Sequence, residues 1–325
     1  MSDAPFQVDR SARLRMTFGG DAAKATLGGL LTNDVVSLTP GRGVRAAALT
    51  PKGRVIALLR VIDRGTDLLV DTEAAAAEGF VAMIRKYVNP RLAKYTDVSA
   101  TTACLGIYGE HGAIVELVAR ATESDPAALA ALAPQCALTG GEGESSVLVV
   151  RSTDLAPGGF DLIGATARIA ALRVTLEASG VSMASAERAE VARIEAGVPA
   201  WGREMDGETI PQEAMLDELG AIAFDKGCYT GQEVVARIHF RGHVNRHLRW
   251  LLSEAPLPEG AAVHDSDGKE VGDVRSSVRS STHGPLAIAM VRREVAPGSE
   301  VRVAAEGGGL QARVMRMGEP SAVDP

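Results

Sequence analysis

Cys228 stands between Gly227 and Gly231 in FDKGCYTGQEVVARIHFRGHVNRHLR (224–249), with Lys226 before it and Tyr229, Gln232 and Glu233 after it. Glycines on both sides let the backbone turn tightly and leave a sulfur accessible. A nearby ammonium lowers a thiol pKa, and the thiolate is the nucleophile and the metal ligand. A short helix starting near Thr230 would stabilise that thiolate further. The same residue can also be read as a small buried hydrophobe, the usual fate of a free cysteine. Cys104, inside ACLGIY, and Cys136, beside a helix end, read as structural.

The run that follows holds Arg237, His239, Arg241, His243, Arg246, His247 and Arg249 with no acidic residue between them. His239, His243 and His247 are four apart, the spacing of helix-borne metal ligands. Gly242 and the alternation His247-Leu248-Arg249-Trp250 argue against a helix there, and no carboxylate or thiol lies at ligand spacing. No metal site is expected. An anion-binding lip, for a polyglutamate tail or a phosphate backbone, stands as one reading, and a solvated basic edge as the other. Glu195 sits in the last turn of a helix, where a carboxylate gains nothing from the dipole. It either snorkels to solvent or holds a hydrogen-bond-donating ligand. Asn33-Asp34 reads first as a turn.

The chain has 325 residues, enough for two or three packed units. Its 46% hydrophobic and 23% charged residues are those of an ordinary globular chain, and its net charge of -7 opposes general binding to nucleic acid or anionic membrane. No apolar run approaches the ~18 residues of a membrane helix, and the first residues lack an apolar signal core, so a cytoplasmic protein is expected. Three widely spread cysteines without CxxC exclude a disulfide framework. GxxxxGK[ST], GxSxG, HExxH and SxxK are missing, and GGEGES (140–145) reads as a turn.

The elements that must position these residues are legible in outline. Asp21 reads as the N-cap of a short helix ending near Thr32-Asn33-Asp34. VRAAALT, a Pro51-Lys52-Gly53 turn and RVIALLRVID read as a hairpin, extended by LLVDT to a three-stranded meander. Phe80, Ile84 and Val88 mark one helix face, closed by Asn89-Pro90. A strand near 103–108, a helix near 113–121, the strands VLVVRS and FDLIGA and a helix at 165–179 follow. SAERAEVARIEAG is a further helix burying Val191 and Ile194. Beyond Leu248, short alternating runs separated by Pro and Gly predict five or six strands of a small barrel or sandwich.

LTNDV (31–35), the PKGRV hairpin, RIEAGVPAWGRE (193–204), IPQEA (210–214) and KGCYTGQEVVAR (226–237) together resemble the YgfZ branch of the aminomethyltransferase-like, folate-binding superfamily, which also contains the Iba-type iron–sulfur assembly factors. The resemblance runs over nearly the whole chain, and KGCYTGQE is its most specific element. It implies an α+β, three-lobed body with a central channel for tetrahydrofolate or a folate derivative (1–245, two intertwined α+β lobes), followed by a C-terminal antiparallel β-barrel (246–325). It further implies that Glu195 grips the pterin and that Asn33 and Asp34 line the channel. Tyr229, Gln232 and Arg237 are carried with them as cofactor-binding residues. Cys228 is then the signature cysteine, with Lys226 and Arg237 keeping its thiolate charged. T-proteins of glycine cleavage carry an aspartate after the hairpin turn; here GRVIALLRV (53–61) has Ala57 and Leu58 where an acid would be expected, so aminomethyl transfer is disfavoured.

Three functions follow as expectations. The first is a folate-binding accessory factor for maturation or repair of iron–sulfur proteins, supporting tRNA modification indirectly through a reactive Cys228. The second is a folate-dependent one-carbon transferase. The third is a non-catalytic module docking a partner protein or tRNA through 237–249. No membrane partner is expected. A monomer is, since neither an exposed heptad nor a long bare strand edge is legible.

Overall fold

The N-terminal strand β1 (Phe6–Asp9) leaves the segment it begins and joins a sheet made from residues a hundred positions later, so the two halves of the body are threaded through each other. The computed structural model describes residues 4–306 and 308–318. The first sheet has the order β3-β4-β5-β2-β6, from β2 (Leu14–Gly19), β3 (Gly43–Leu49), β4 (Val55–Asp63), β5 (Leu68–Thr72) and β6 (Lys94–Asp97). Helices α1 (Ala23–Gly28) and α2 (Ala77–Tyr87) cover one face of it. The second sheet has β1 between β11 (Ser182–Met183) and β7 (Thr102–Gly109), followed by β10 (Gly158–Ala165), β9 (Val147–Arg151) and β8 (Ala137–Gly140). Helices α3 (His111–Thr122), α4 (Pro126–Ala130) and α5 (Thr166–Ala178) pack on it, and α6 (Ala186–Glu195) leads out of it.

Strand periodicity decides what the two sheets show each other. On β4, Leu59 and Val61 enter the core under α1 and α2, which turns Leu58, Arg60 and Ile62 to the other face. There Ile62 and Leu69 meet Cys104, Val150 and Ile163 of the second sheet. The same face carries charge: Arg60 reaches Asp71 at 2.6 Å and Asp161 at 2.7 Å, Arg10 reaches Asp161 and Asp154 at 2.7 Å, and Arg13 reaches Asp71 at 2.9 Å. Tyr108 donates to Asp161 at 2.8 Å. Burial pushes the Asp71 and Asp154 carboxyls up, but the surrounding arginines outweigh it and hold both well below the usual carboxylate range.

The chain ends in a barrel. After α7 (Gln232–Arg241), strands β12 (Arg246–Ser253), β13 (Ala262–His264), β14 (Glu270–Ser280), β15 (Gly284–Arg292), β16 (Glu300–Val303) and β17 (Leu310–Met315) close in the order β12-β15-β14-β13-β16-β17. β15 is buried on both faces, and its pleat sorts the neighbours. Ala287, Ala289 and Val291 fill the barrel, while Leu286, Ile288 and Met290 pack on Ala47, Leu49, Val55 and Ile194 of the body. This shared core fastens the barrel to the first sheet and to α6.

Three expectations are corrected. The first helix runs only over Ala23–Gly28, capped by Ala22 without a side-chain bond, because two successive glycines end it before Thr32. Asp21 is not its cap. The run 237–249 is helical as far as Arg241; Gly242 stops α7, and the alternation beyond it is β12. Val191 is only partly buried, while Ile194 is fully so. The strands β1, β2, β6, β8 and β11 add to the meander and to the three strands expected after it. Among the described residues no helix is long and apolar enough to cross a membrane.

Two stability predictions follow from the buried charges. Asp161→Asn leaves Arg10 and Arg60 short of a counter-charge and should cost about 3–5 kcal/mol in urea unfolding. Because Asp71 and Asp154 titrate lower in the folded chain, their stabilisation is complete above the ordinary carboxylate pKa of about 3.9 and is lost as pH falls through the lower folded values. Urea midpoints should therefore drop from pH 4 towards pH 2; a flat profile there would contradict the network's role.

Candidate functional site

Three segments far apart in sequence meet at one place. The loop after α1, the hairpin turn between β3 and β4, and the segment 220–232 are bonded into a single unit. Thr32 Oγ1 donates to Ala221 O at 2.6 Å and accepts from Ala47 N at 2.7 Å; Ala223 N donates to Thr32 O at 3.0 Å. Asn33 Nδ2 donates to Arg45 O at 2.6 Å and Gly220 O at 2.8 Å. Asp34 Oδ1 accepts from Val36 N and Ser37 N, closing the turn, and the Ser37 hydroxyl lowers its pKa. Asn33 thus rivets the loop, with both amide hydrogens already committed.

The hairpin side of the joint is a pair of glycines. Gly231, at φ +83°, begins α7, and a Cβ there would fall 2.7 Å from Thr50 O. Gly53, at φ +71°, faces back, and its Cβ would fall 2.7 Å from Val234 Cβ. Each glycine is required by the other segment's backbone or side chain. This close approach fixes the segment holding Cys228.

Cys228 is free and exposed, whereas Cys104 and Cys136 are free and buried. Burial pushes the Cys104 thiol up to about 12, so it carries no thiolate near neutrality. Lys226 is anchored to the loop after α1. Its ammonium donates to Gly28 O at 2.6 Å and Leu31 O at 2.7 Å, tying down carbonyls at the end of α1, and sits 5.0 Å from the Tyr229 ring. Burial pulls it down to about 8, with Asp34 opposing. No contact joins it to Cys228 among the described residues. Tyr229 is core, its hydroxyl pushed up to about 12 by burial. Gln232 opens α7, two residues beyond the expected Thr230, and Arg237 lies exposed on that helix.

Glu195 closes α6 and is half-buried. Its Oε1 accepts the Ser280 hydroxyl at 2.5 Å, and Ser280 Oγ accepts Thr282 N at 3.0 Å and His283 N at 2.8 Å from the β14–β15 turn. Trp250 Nε1 donates to Ile194 O at 3.1 Å, and the Trp250 ring lies 5.5 Å from that of His283. Glu195 Oε2 accepts nothing from the described residues. The carboxylate is held by the barrel, next to an indole, with one oxygen available.

The basic run is divided by the fold. Arg246 pairs with Glu213 at 3.1 Å, and Arg249 donates to Leu248 O at 2.9 Å. Arg237, Arg241 and His243 remain exposed. His239 stacks on Phe224 with centroids 3.6 Å apart, and Phe240, 66% exposed, meets His239 edge-on. No group of three metal-ligating side chains occurs among the described residues.

Sequence reasoning missed the polar cavity between the sheets. About 60 Å³ in volume, it is lined by Arg10, Arg45, Arg60, Glu73, Gln135 and Asp154, together with Leu58. The available signal was single charges within apolar strands: Arg60 in RVIALLRVID, Asp71 in LLVDT and Asp161 in FDLIGA. Of the two apolar residues Ala57 and Leu58, Leu58 lies on this wall beside Arg60, and Ala57 faces the core under α1.

Residues 6–226 match the model described as the GCVT N-terminal domain, and residues 246–318 match the Glycine cleavage T-protein C-terminal barrel domain. A tRNA-modifying protein YgfZ from Klebsiella pneumoniae (strain 342) is 28% identical over 94% of each chain. The YgfZ of Escherichia coli (strain SE11) is 37% identical over 116 residues, 34% of this chain and 35% of that one. The glycine cleavage system aminomethyltransferase T from Bartonella henselae superposes with a TM-score of 0.85 over 97% of this chain and 86% of its own, at 18% identity, a likeness of fold. With two intertwined sheets and a closed barrel of this design, the chain belongs to the family built on the GCVT N-terminal domain.

Proposed function

We propose that this protein is a tetrahydrofolate-binding accessory factor for the maturation or repair of iron–sulfur proteins, supporting tRNA modification indirectly through enzymes that depend on such clusters. The observation that carries the reading is the exposed Cys228 on a segment seated against the β3–β4 turn, together with apolar Ala57 and Leu58 where the resemblance would place an acid. A transferase needs a proton-transfer group at that place; this chain offers a thiol elsewhere instead. The relatives named tRNA-modifying protein YgfZ support the connection to tRNA modification.

The residues around Glu195 fit a pterin. Glu195 Oε2 is an open acceptor for the N–H groups along a pterin edge, and Ser280 holds the carboxylate while Trp250 supplies an apolar neighbour. When bound, tetrahydrofolate would supply one-carbon chemistry. Glu195 would bind and orient it, and Asn33 would keep the neighbouring loop in shape. Cys228 would act as nucleophile, redox thiol or transient iron or sulfur ligand toward the client.

A second reading is favoured by α7. Its outer side combines exposed Arg237 and Arg241 with the Phe224–His239–Phe240 cluster, cations for phosphates and an exposed ring for stacking. On this reading the protein docks tRNA without chemistry. Arg246 takes no part, being held by Glu213.

Two experiments separate these readings. In a host lacking its own copy, wild type should restore activity of a tRNA-thiolating enzyme that needs a [4Fe–4S] cluster, and Cys228→Ser should not. Equal rescue by both, with defects confined to Arg237→Glu and Arg241→Glu, would favour docking. Tetrahydrofolate binding, followed by tryptophan fluorescence, should weaken roughly 10–100-fold in Glu195→Gln, as expected for hydrogen bonds to a charged group worth ~1.5–3 kcal/mol. Unchanged affinity would remove Glu195 from the folate site.

A further inference from the structure

Phe240 is 66% exposed, more than any other large apolar side chain among the described residues. It lies on α7, whose buried residue is Val235. Helical spacing places Arg237, three residues back, and Arg241, next in the chain, on the side turned away from Val235 together with that ring. Both arginines are exposed, and neither guanidinium has a hydrogen-bond or ion-pair partner among the described residues. An exposed ring thus stands between two uncommitted cations.

The ring is held in place before any ligand arrives. His239 stacks on Phe224 with centroids 3.6 Å apart and planes at 12°. Phe240 meets His239 at 4.7 Å and 84°, and Phe224 at 6.4 Å and 77°. Two rings at near right angles brace it, so little side-chain freedom remains to be lost on binding. Phe224 belongs to the segment bonded to the loop after α1, since its neighbour Ala223 donates to Thr32 O at 3.0 Å. The platform is therefore carried by the same unit that positions Cys228, four residues further on.

Charge and shape together narrow the ligand. From Arg237 to His243 the chain holds two arginines and two histidines with no carboxylate, in a protein of net charge -7. Glu233, the acid in the first turn of α7, lies about 10 Å back along the axis from Phe240 at ~1.5 Å per residue. The helix dipole accounts for cations in a last turn; it does not account for a phenyl ring left in water between them. A flat ring flanked by cations matches alternating bases and phosphates. Bases in a duplex are covered on both faces by their neighbours, whereas unpaired bases can be splayed onto an aromatic side chain.

We propose that this face of α7 binds an unpaired loop of RNA, with one base stacked on Phe240 and the flanking phosphates on Arg237 and Arg241. The proposal rests on the tRNA-docking reading and deepens it: a loop, rather than a stem, is what the helix recognises.

The test is fluorescence anisotropy of the full chain with labelled dodecauridylate, a dodecamer RNA duplex and unfractionated tRNA over a salt series. Dodecauridylate should bind roughly tenfold more tightly than the duplex, and Phe240→Ala should weaken it roughly tenfold, as for one lost stacking partner, with the salt slope unchanged. Arg237→Gln and Arg241→Gln should each lower the slope of log affinity against log salt by about 0.7. Phe240→Trp should keep the affinity, and its added indole emission should be quenched by the bound base. These variants alter exposed side chains, and urea midpoints equal to that of wild type check their folding. Equal affinity for duplex and single strand, or wild-type affinity in Phe240→Ala, would overturn the stacking site. Binding of tRNA without dodecauridylate would overturn the loop and leave the docking reading standing; binding of neither would end both.

Discussion

Ion pairs between facing sheets, rather than continuous hydrocarbon, govern how the body of this protein closes. Arg60 bridges Asp71 of its own sheet and Asp161 of the other, and Arg10 bridges Asp161 and Asp154. Charges this deeply buried are tolerated only when paired, and each pairing demands a set distance between the strands that carry it. A hydrophobic interface could slide by a fraction of a residue; this one cannot without stranding a guanidinium. The apolar patch formed by Ile62, Leu69, Cys104, Val150 and Ile163 completes the contact on one side. On the other side the sheets stand apart, and the polar cavity is the space between them.

That registration extends to the functional loops. The β3–β4 hairpin grows from the first sheet, and α7 is seated on its turn by the reciprocal fit of Gly53 and Gly231. The loop after α1 is bonded to both, through Thr32, Asn33 and Lys226. Cys228 therefore owes its position to the sheet, although it lies on neither strand nor helix. Lys226 also serves the structure: its ammonium supplies donors to the carbonyls of Gly28, at the end of α1, and of Leu31 in the loop beyond it.

Much of the architecture was legible because it rests on local signals. The Pro51-Lys52-Gly53 turn between apolar runs gave the hairpin, and alternating short runs after Leu248 gave the barrel. The first helix was overextended because periodicity in AAKATLGGLL outlasted the glycines that end it. The strand β1 had no neighbour in sequence to reveal it; its partners, β7 and β11, are remote. For the site, Cys228 and Glu195 were visible as residue types in odd surroundings. The cavity was not, since Arg10, Arg60, Asp154 and Gln135 become one feature only when two sheets meet.

The relation between Leu58 and that cavity bears on how the fold changes its chemistry. On β4, Leu58 and Arg60 point to the same side, two residues apart, so an acid at 58 would face the guanidinium at 60 across the cavity wall. Such an acid would add a carboxylate beside arginines that Asp71, Asp154 and Asp161 already pair. With leucine there, Arg60 keeps Asp71 and Asp161 as its ion-pair partners. Loss of the acid thus does more than remove a proton carrier. It leaves an apolar side chain among paired arginines, while the thiol of Cys228 stands exposed on a segment seated against the β3–β4 turn. A single position in one strand can in this way separate two branches of the same fold.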